Sequence, residues 1–354
     1  MNSNNPFMND NYLDISASLN KMSMVEIPGF PYSRQLAGHT AQAVLSSAAI
    51  AGLVREAFSL SADTARGAAI GYLHRQLAAE QPEVREKAEL ICEEIALNIG
   101  CLLLILTKQN VNKNAARLDW DTAQWAWWQS IERIVIGGGV LAAAVGETVF
   151  GYIRRHFLDT GLMEIAVELS NCAEYMPLVG AGNRLISMGL PGCILDFGHT
   201  SCKRAIFAQN EQLETLSKCE LGNEVAYDAA SNNREVAAVL NDRIIEIACA
   251  TVVAAAERLA GVNKIGLVIS IANYYDGRHF ATRGGYAKLN FISADYRTYL
   301  TKEIKNRCNI AVEISFVHDC TAAALSVISG LDKKTAVVVL GTGLGAGFCS
   351  YEPD

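Results

Sequence analysis

Gly192-Cys-Ile-Leu-Asp-Phe-Gly-His-Thr-Ser-Cys-Lys-Arg-Ala-Ile-Phe207 is a short apolar run that ends on an acid, a polar turn, and a second β-prone run. Residues 193–195 are apolar and Asp196 closes the run. Gly198, Thr200 and Ser201 form the turn, and the chain returns near Lys203. The spacing predicts strand, turn and returning strand. Gly198 lets the backbone approach a ligand closely, and successive turn N–H groups make a concavity suited to an anion. Asp196, at a strand end, is placed to hold a magnesium ion directly or through its waters. Such a hairpin is also an ordinary way to reverse a chain, so its meaning depends on the motifs around it.

Composition narrows the classes. At 354 residues, 51% hydrophobic and 19% charged, the chain matches a globular protein of two lobes or domains. A formal charge of −7 disfavours nucleic acid or an anionic membrane surface as the main partner. The ten cysteines are scattered without CxxC pairs, which suggests neither a disulfide framework nor a structural zinc site. Reduced thiols in a cytoplasmic protein are the plain expectation. The first residues are polar and Asn-rich, unlike a signal peptide, and residues 1–12 are expected to form a disordered tail. The most apolar run, 95–106, is too short to span a bilayer, so no membrane insertion is expected.

Helical spacing predicts helices over 41–58, 65–77 and 84–106, the last opened by Pro82 and a Glu-rich turn. Trp120, Trp125, Trp127 and Trp128 form a cluster suited to stacking on sugar faces, or simply to packing a core or a dimer contact. Residues 133–140 run from a β-branched strand into Gly137, Gly138 and Gly139, followed by a helix over 141–157. Bare backbone there leaves room for a flat base or a phosphate, though a tight strand–helix turn explains it equally well. The pattern is neither a GxGxxG fingerprint nor a P-loop. A strand is expected at 165–169, a helix start near 179–182, and a linker over 183–192, where Gly189, Pro191 and Gly192 mark a boundary. Further on, 223–258 predicts two helices broken near 231–233. Strands follow at 264–271 and 311–317, helices at 296–305 and 320–328, and a strand–glycine turn–strand at 335–350. The alternation indicates an α/β fold with a parallel or mixed sheet.

Together these motifs resemble the sugar-kinase branch of the actin-like ATPase (ribonuclease H-like) fold, and most closely the ROK family. Asp196-Phe-Gly198-His-Thr200 is similar to that family's first phosphate hairpin. His318-Asp319-Cys-Thr-Ala-Ala is similar to its catalytic segment, Gly341-Thr342-Gly343-Leu-Gly to its second phosphate hairpin, and Gly137-Gly138-Gly139-Val to its adenosine turn. The order along the chain differs from the family's but is preserved cyclically, so the chain resembles a circularly permuted ROK-like protein. Permutation is tolerated where old termini lie close and new ones fall in a surface loop.

The resemblance implies two lobes: 13–168 with 331–354 as the larger, and 169–330 as the smaller. It implies an ATP-dependent sugar kinase using Mg2+, a small-molecule sugar as substrate, and a homodimer. Asp319 is the implied general base. Asp196, Gly198, Thr200 and Lys203, with Gly341, Thr342, Gly343 and Gly137 to Gly139, are the implied nucleotide contacts, and Asp196 positions the magnesium. Asn273, Asn290 and His318 are the implied sugar contacts. Departures lie mostly on the sugar side: His318 replaces an asparagine, Ser270-Ile-Ala-Asn273 lacks the family's Pro-Gly, and no Glu-x-Gly-His or zinc box is found. His199 replaces a hairpin glycine. The rival expectation is a nucleotide- or sugar-binding sensor of the same fold with weak or no transfer. An ATPase that activates a partner enzyme is a third.

Overall fold

The structure, a computed structural model, describes residues 5–9, 12–30, 32–162, 164–208, 213–259, 261–262, 264–327 and 333–349. Its strands, in chain order, are β1 (Met8–Asn9), β2 (Tyr12–Leu13), β3 (Arg133–Gly137), β4 (Ala166–Leu169), β5 (Gly192–Phe197) and β6 (Ser201–Phe207). They continue with β7 (Leu213–Glu220), β8 (Ile265–Ile271), β9 (Val312–His318), β10 (Thr335–Leu340) and β11 (Leu344–Cys349). The fold is mixed α/β. The chain divides into two compact units: Met1–Phe7 with Ser16–Tyr175 and Leu331–Asp354, and Met8–Ile15 with Met176–Gly330.

The first unit holds a sheet in the order β11-β10-β3-β4. β10, β3 and β4 run parallel, and β11 folds back antiparallel on β10. Its central helix, Pro82–Thr107, is long and apolar enough to cross a bilayer, unlike the shorter run expected from the sequence. It is instead a core element: every residue from Asn98 to Leu106 is buried. The helix expected over 41–58 is two helices, Ala41–Leu45 and Ser47–Ala57. Ser46 breaks it by turning extended and accepting the Ala49 N–H on its Oγ, which makes it an N-cap.

All four tryptophans are buried, at 6% exposure or less, so the cluster is core and not a sugar platform. Phe7 joins it, fully buried, stacked on Phe348 at 5.0 Å and edge-on to Trp120 at 5.1 Å. Residues 5–9 and 12 of the expected loose tail are therefore ordered: the buried Phe7 ring anchors them, and β1 pairs with β2 just after it. The remainder of that segment lies outside the described residues. Phe7→Ala should lower unfolding stability by about 3–5 kcal/mol, read from urea denaturation.

The second unit holds the sheet β7-β6-β5-β8-β9. β5, β8 and β9 are parallel, while β5, β6 and β7 form an antiparallel meander. β5 and β8 are buried throughout, as interior parallel strands covered on both faces must be. β7 was not expected. Its half-exposed pattern is that of an edge strand. Residues 183–188 of the linker expected over 183–192 are instead the second half of a helix, Met176–Met188. Leu185 packs with Ile194 and Val268, and the Asn183 amide donates to the Leu325 carbonyl at 2.8 Å. Only one long helix, Arg234–Arg258, occupies the 223–258 region. Asn233 caps it by accepting the Val236 N–H, and a single 3-10 turn, Asn223–Val225, precedes it.

Candidate functional site

Because β5, β8 and β9 are parallel, their carboxyl ends share one edge, the side on which open α/β sheets bind ligands. Asp196, Ser270 and Val317 stand in register there, with His318 and Asp319 immediately after. Asp196 is buried at 8% exposure, and the Ser270 hydroxyl donates to its Oδ1 at 2.8 Å. Burial pushes its carboxyl up to about 6. The charge of Lys203, its register partner on β6, and the Ser270 hydrogen bond pull it down, and the charge of Asp319 pushes it up again.

A desolvated carboxylate repelled by a second one is a donor set that a hard divalent cation relieves, so these oxygens fit magnesium. The same geometry has a stability consequence. The folded-state value lies above the ordinary 3.8, so the folded protein retains a proton that the unfolded chain has lost. The favourable contribution is complete below about pH 4 and is lost as pH rises through about 6. Asp196→Asn should therefore raise stability at pH 7.5 by on the order of 3 kcal/mol and give no gain at pH 4. Urea unfolding at the two pH values checks this.

Asp319 opens the helix Asp319–Leu325, and its Oδ1 accepts the Cys320 N–H at 2.7 Å. His318 is the N-cap: its Nδ1 accepts the same N–H at 3.1 Å, and its ring stacks on Tyr274 at 4.2 Å. That Nδ1 also lies 3.1 Å from Asp319 Oδ1, a contact that favours the charged imidazole. Burial outweighs it and lowers the His318 pKa, in keeping with an Nδ1 that accepts. His318, Asp319 and Cys320 offer ligand atoms within 4.8 Å of one another. Burial, however, raises the Cys320 thiol well above its ordinary value and disfavours the thiolate a soft metal needs.

The short helix is fixed from behind by the Met176–Met188 helix. A Cβ on Gly180 would lie 1.7 Å from the Ala322 carbonyl oxygen, so only glycine allows this approach.

The turn after β5 is tethered at both ends. The Gly198 N–H donates to the Ser201 carbonyl at 3.0 Å, and the buried Tyr286 hydroxyl donates to the Gly198 carbonyl. The Thr200 carbonyl accepts the Leu221 N–H at 2.9 Å. Tyr286 has no sequence signal beyond being aromatic.

Asn273 and Asn290 are held by backbone. Asn273 is buried, its Oδ1 accepting the Tyr274 N–H at 3.0 Å, with Gly284 packed against its amide. Asn290 accepts the Phe280 N–H at 3.0 Å and donates to the Phe280 carbonyl at 2.7 Å.

The first unit brings together the other two glycine turns. β10 and β3 are parallel neighbours with Val339 opposite Gly137, so Gly341 to Gly343 and Gly137 to Gly139 leave the same sheet edge. Gly138, at φ +108, passes so close to β10 that a Cβ would lie 2.1 Å from the Leu340 oxygen. This glycine is thus required by packing alone, whereas a Cβ on Gly139 would meet nothing within 4 Å. Gly341 N–H bonds the Gly343 carbonyl at 2.9 Å across the turn that holds Thr342. Asn20 Oδ1 accepts the Leu344 N–H at 2.7 Å, and the Ser47 N–H, in the first turn of its helix, donates to the Gly341 carbonyl at 2.8 Å. Neither residue stands out in the sequence.

No family model matches the sequence, and no curated protein matches it. Among solved structures, a ROK family glucokinase from Streptomyces griseus, in complex with glucose and AMPPNP, aligns at 21% identity and TM-score 0.29, over 45% of this chain and 44% of its own. The ethanolamine utilization protein EutJ from Carboxydothermus hydrogenoformans aligns at 13% identity and TM-score 0.28, over 55% of this chain and 64% of its own. The chain thus spans less than two thirds of the length of either structure.

Proposed function

We propose that this protein is an ATP-dependent kinase acting on a hexose or related sugar, with the actin-like ATPase fold in a circularly permuted, ROK-like order. The observation that carries the proposal is the Asp196–Asp319 pair at the carboxyl ends of β5 and β9, beside the tethered Gly198–Thr200 turn. Phosphoryl transfer asks for this arrangement: one carboxylate to position a cation and another to take a proton from the attacking hydroxyl.

Permutation is supported by a repeated sheet pattern. In the second unit, β5 pairs antiparallel with the next strand on one side and parallel with β8 on the other, and β8 is parallel to β9. In the first unit, β10 pairs antiparallel with β11 on one side and parallel with β3 on the other, and β3 is parallel to β4. The patterns correspond only if the first unit is read from β10 onward, with β3 and β4 taken last. Each unit then begins with a hairpin whose turn carries glycine and threonine.

In this mechanism Asp319 Oδ1 is engaged by the Cys320 N–H, so Oδ2 takes the proton of the sugar hydroxyl as its oxygen attacks the γ-phosphorus, whose bond to the β–γ bridging oxygen breaks so that ADP leaves. His318, neutral through burial, holds the start of the Asp319 helix as its cap. N–H groups of the turn after β5, with the Thr200 hydroxyl, hold phosphate oxygens, and Lys203 adds positive charge beside Asp196. Magnesium, when bound, offsets negative charge on the phosphates.

The sensor is kept as a second reading because the amides of Asn273 and Asn290 are engaged with backbone, which leaves the sugar side sparse. ADP release from ATP and Mg2+ across a panel of hexoses and polyols separates the two. Sugar-dependent release supports the kinase. Nucleotide binding with no sugar dependence supports the sensor.

A further inference from the structure

β9 is the edge strand of its sheet, and a cavity of about 380 Å³ opens around that edge. Its size falls in the range of small-molecule sites. Arg184, from the Met176–Met188 helix, and Arg297, from the helix Tyr296–Cys308, both line it, and Ser315, Thr321 and Tyr12 add hydroxyls. Tyr275 and Phe316 supply aromatic surface.

Neither guanidinium has a carboxylate within 4.0 Å among the described residues. The acid whose charge Arg297 influences, Asp295, is engaged instead as a helix cap, accepting the Thr298 N–H at 3.0 Å and the Thr298 hydroxyl at 2.8 Å. Arg184 Nε donates to the Ser315 hydroxyl at 3.5 Å. Two guanidiniums and three hydroxyls around an aromatic wall, in a chain of net charge −7, form a concentrated donor set. A carboxylate has two oxygens to offer such a set and a phosphate monoester has three. Arginine forks match those oxygens in pairs.

We infer that this cavity binds a small phosphate monoester with a flat or apolar body, at a site adjoining the Asp196–Asp319 edge. Thr321 and Val317 line it and lie two residues on either side of Asp319, so an occupant touches the strand and the helix that carry that carboxylate.

The test uses phenyl phosphate as probe, by calorimetry on the full-length protein without magnesium or nucleotide, with inorganic phosphate, benzoate and phenol as separate arms. Phenyl phosphate should bind more tightly than each of the other three. Arg184→Gln with Arg297→Gln should weaken it by at least about tenfold, since each substitution removes charge-assisted hydrogen bonds. Both arginines are exposed, so the double variant should keep the wild-type unfolding midpoint. Thr321→Val should weaken binding less. The inference is overturned if millimolar phenyl phosphate gives no heat with the wild-type protein, if phenol or benzoate binds as well, or if the folded double variant binds unchanged.

Discussion

If the protein is the proposed sugar kinase, Asp319→Asn should lower sugar phosphorylation by about 10²–10⁴-fold while leaving ATP affinity within a few fold. An asparagine can still accept the Cys320 N–H and keep the helix start in place, because that bond uses only Oδ1. What disappears is the second carboxylate oxygen, the proton acceptor for the attacking hydroxyl. The loss should therefore fall on kcat and not on KM for nucleotide. It should also relieve Asp196, whose carboxyl is pushed up by burial and, to a smaller extent, by Asp319. Steady-state kinetics with nucleotide calorimetry on the same variant check both parts. Turnover that persists at the wild-type level would remove Asp319 from the chemistry.

A large loss of stability is also expected from Gly180→Ala. In an open helix, Gly→Ala gains up to about 1 kcal/mol from helix propensity. Here the added methyl would stand 1.7 Å from the Ala322 backbone oxygen, and neither helix can yield by turning a side chain. The two helices must separate, for a net loss of about 2–3 kcal/mol. Gly182→Ala is the internal control: its Cβ would meet the edge of the Phe207 ring at 3.2 Å, which a small rotation accommodates, and Ile194 Cδ1 at an ordinary 3.8 Å. Thermal or urea unfolding should separate the two variants clearly. Because Asp319 begins the displaced helix, Gly180→Ala should also reduce transfer at temperatures where the variant remains folded.

Much of the fold was legible where residue type and period agreed. The run 193–195 with Asp196, the polar turn and the return at Lys203 became β5 and β6. The 264–271 and 311–317 runs became parallel strands that bring Asp319 to the edge bearing Asp196. The cluster of tryptophans, open to two meanings in sequence, turned out to be core.

What was not legible has common causes. Val179-Gly180-Ala181-Gly182 reads as a helix start, but Gly189, Pro191 and Gly192 signal a linker from 183 onward, so the second half of the Met176–Met188 helix was hidden. Ser46 lies inside a helical pattern, and only its capping bond shows that the helix restarts there. Phe7 lies in a short segment with no periodic pattern, and its partners, Trp120 and Phe348, lie over a hundred residues away. The supports of the glycine turns, Tyr286, Asn20 and Ser47, act through bonds to backbone that leave no periodic trace. The arginines of the β9 cavity were missed for a related reason: they come from two helices far apart in sequence.

The measurement that bears most directly on the account is phosphorus NMR of the wild-type protein incubated with ATP, Mg2+ and a hexose panel, beginning with glucose. The account predicts a phosphate-monoester resonance that grows as ATP γ-phosphate declines, depends on the sugar, and is absent with Asp319→Asn. If ATP binds but its γ-phosphate stays in place with every acceptor, or appears only as inorganic phosphate, this is not a sugar kinase.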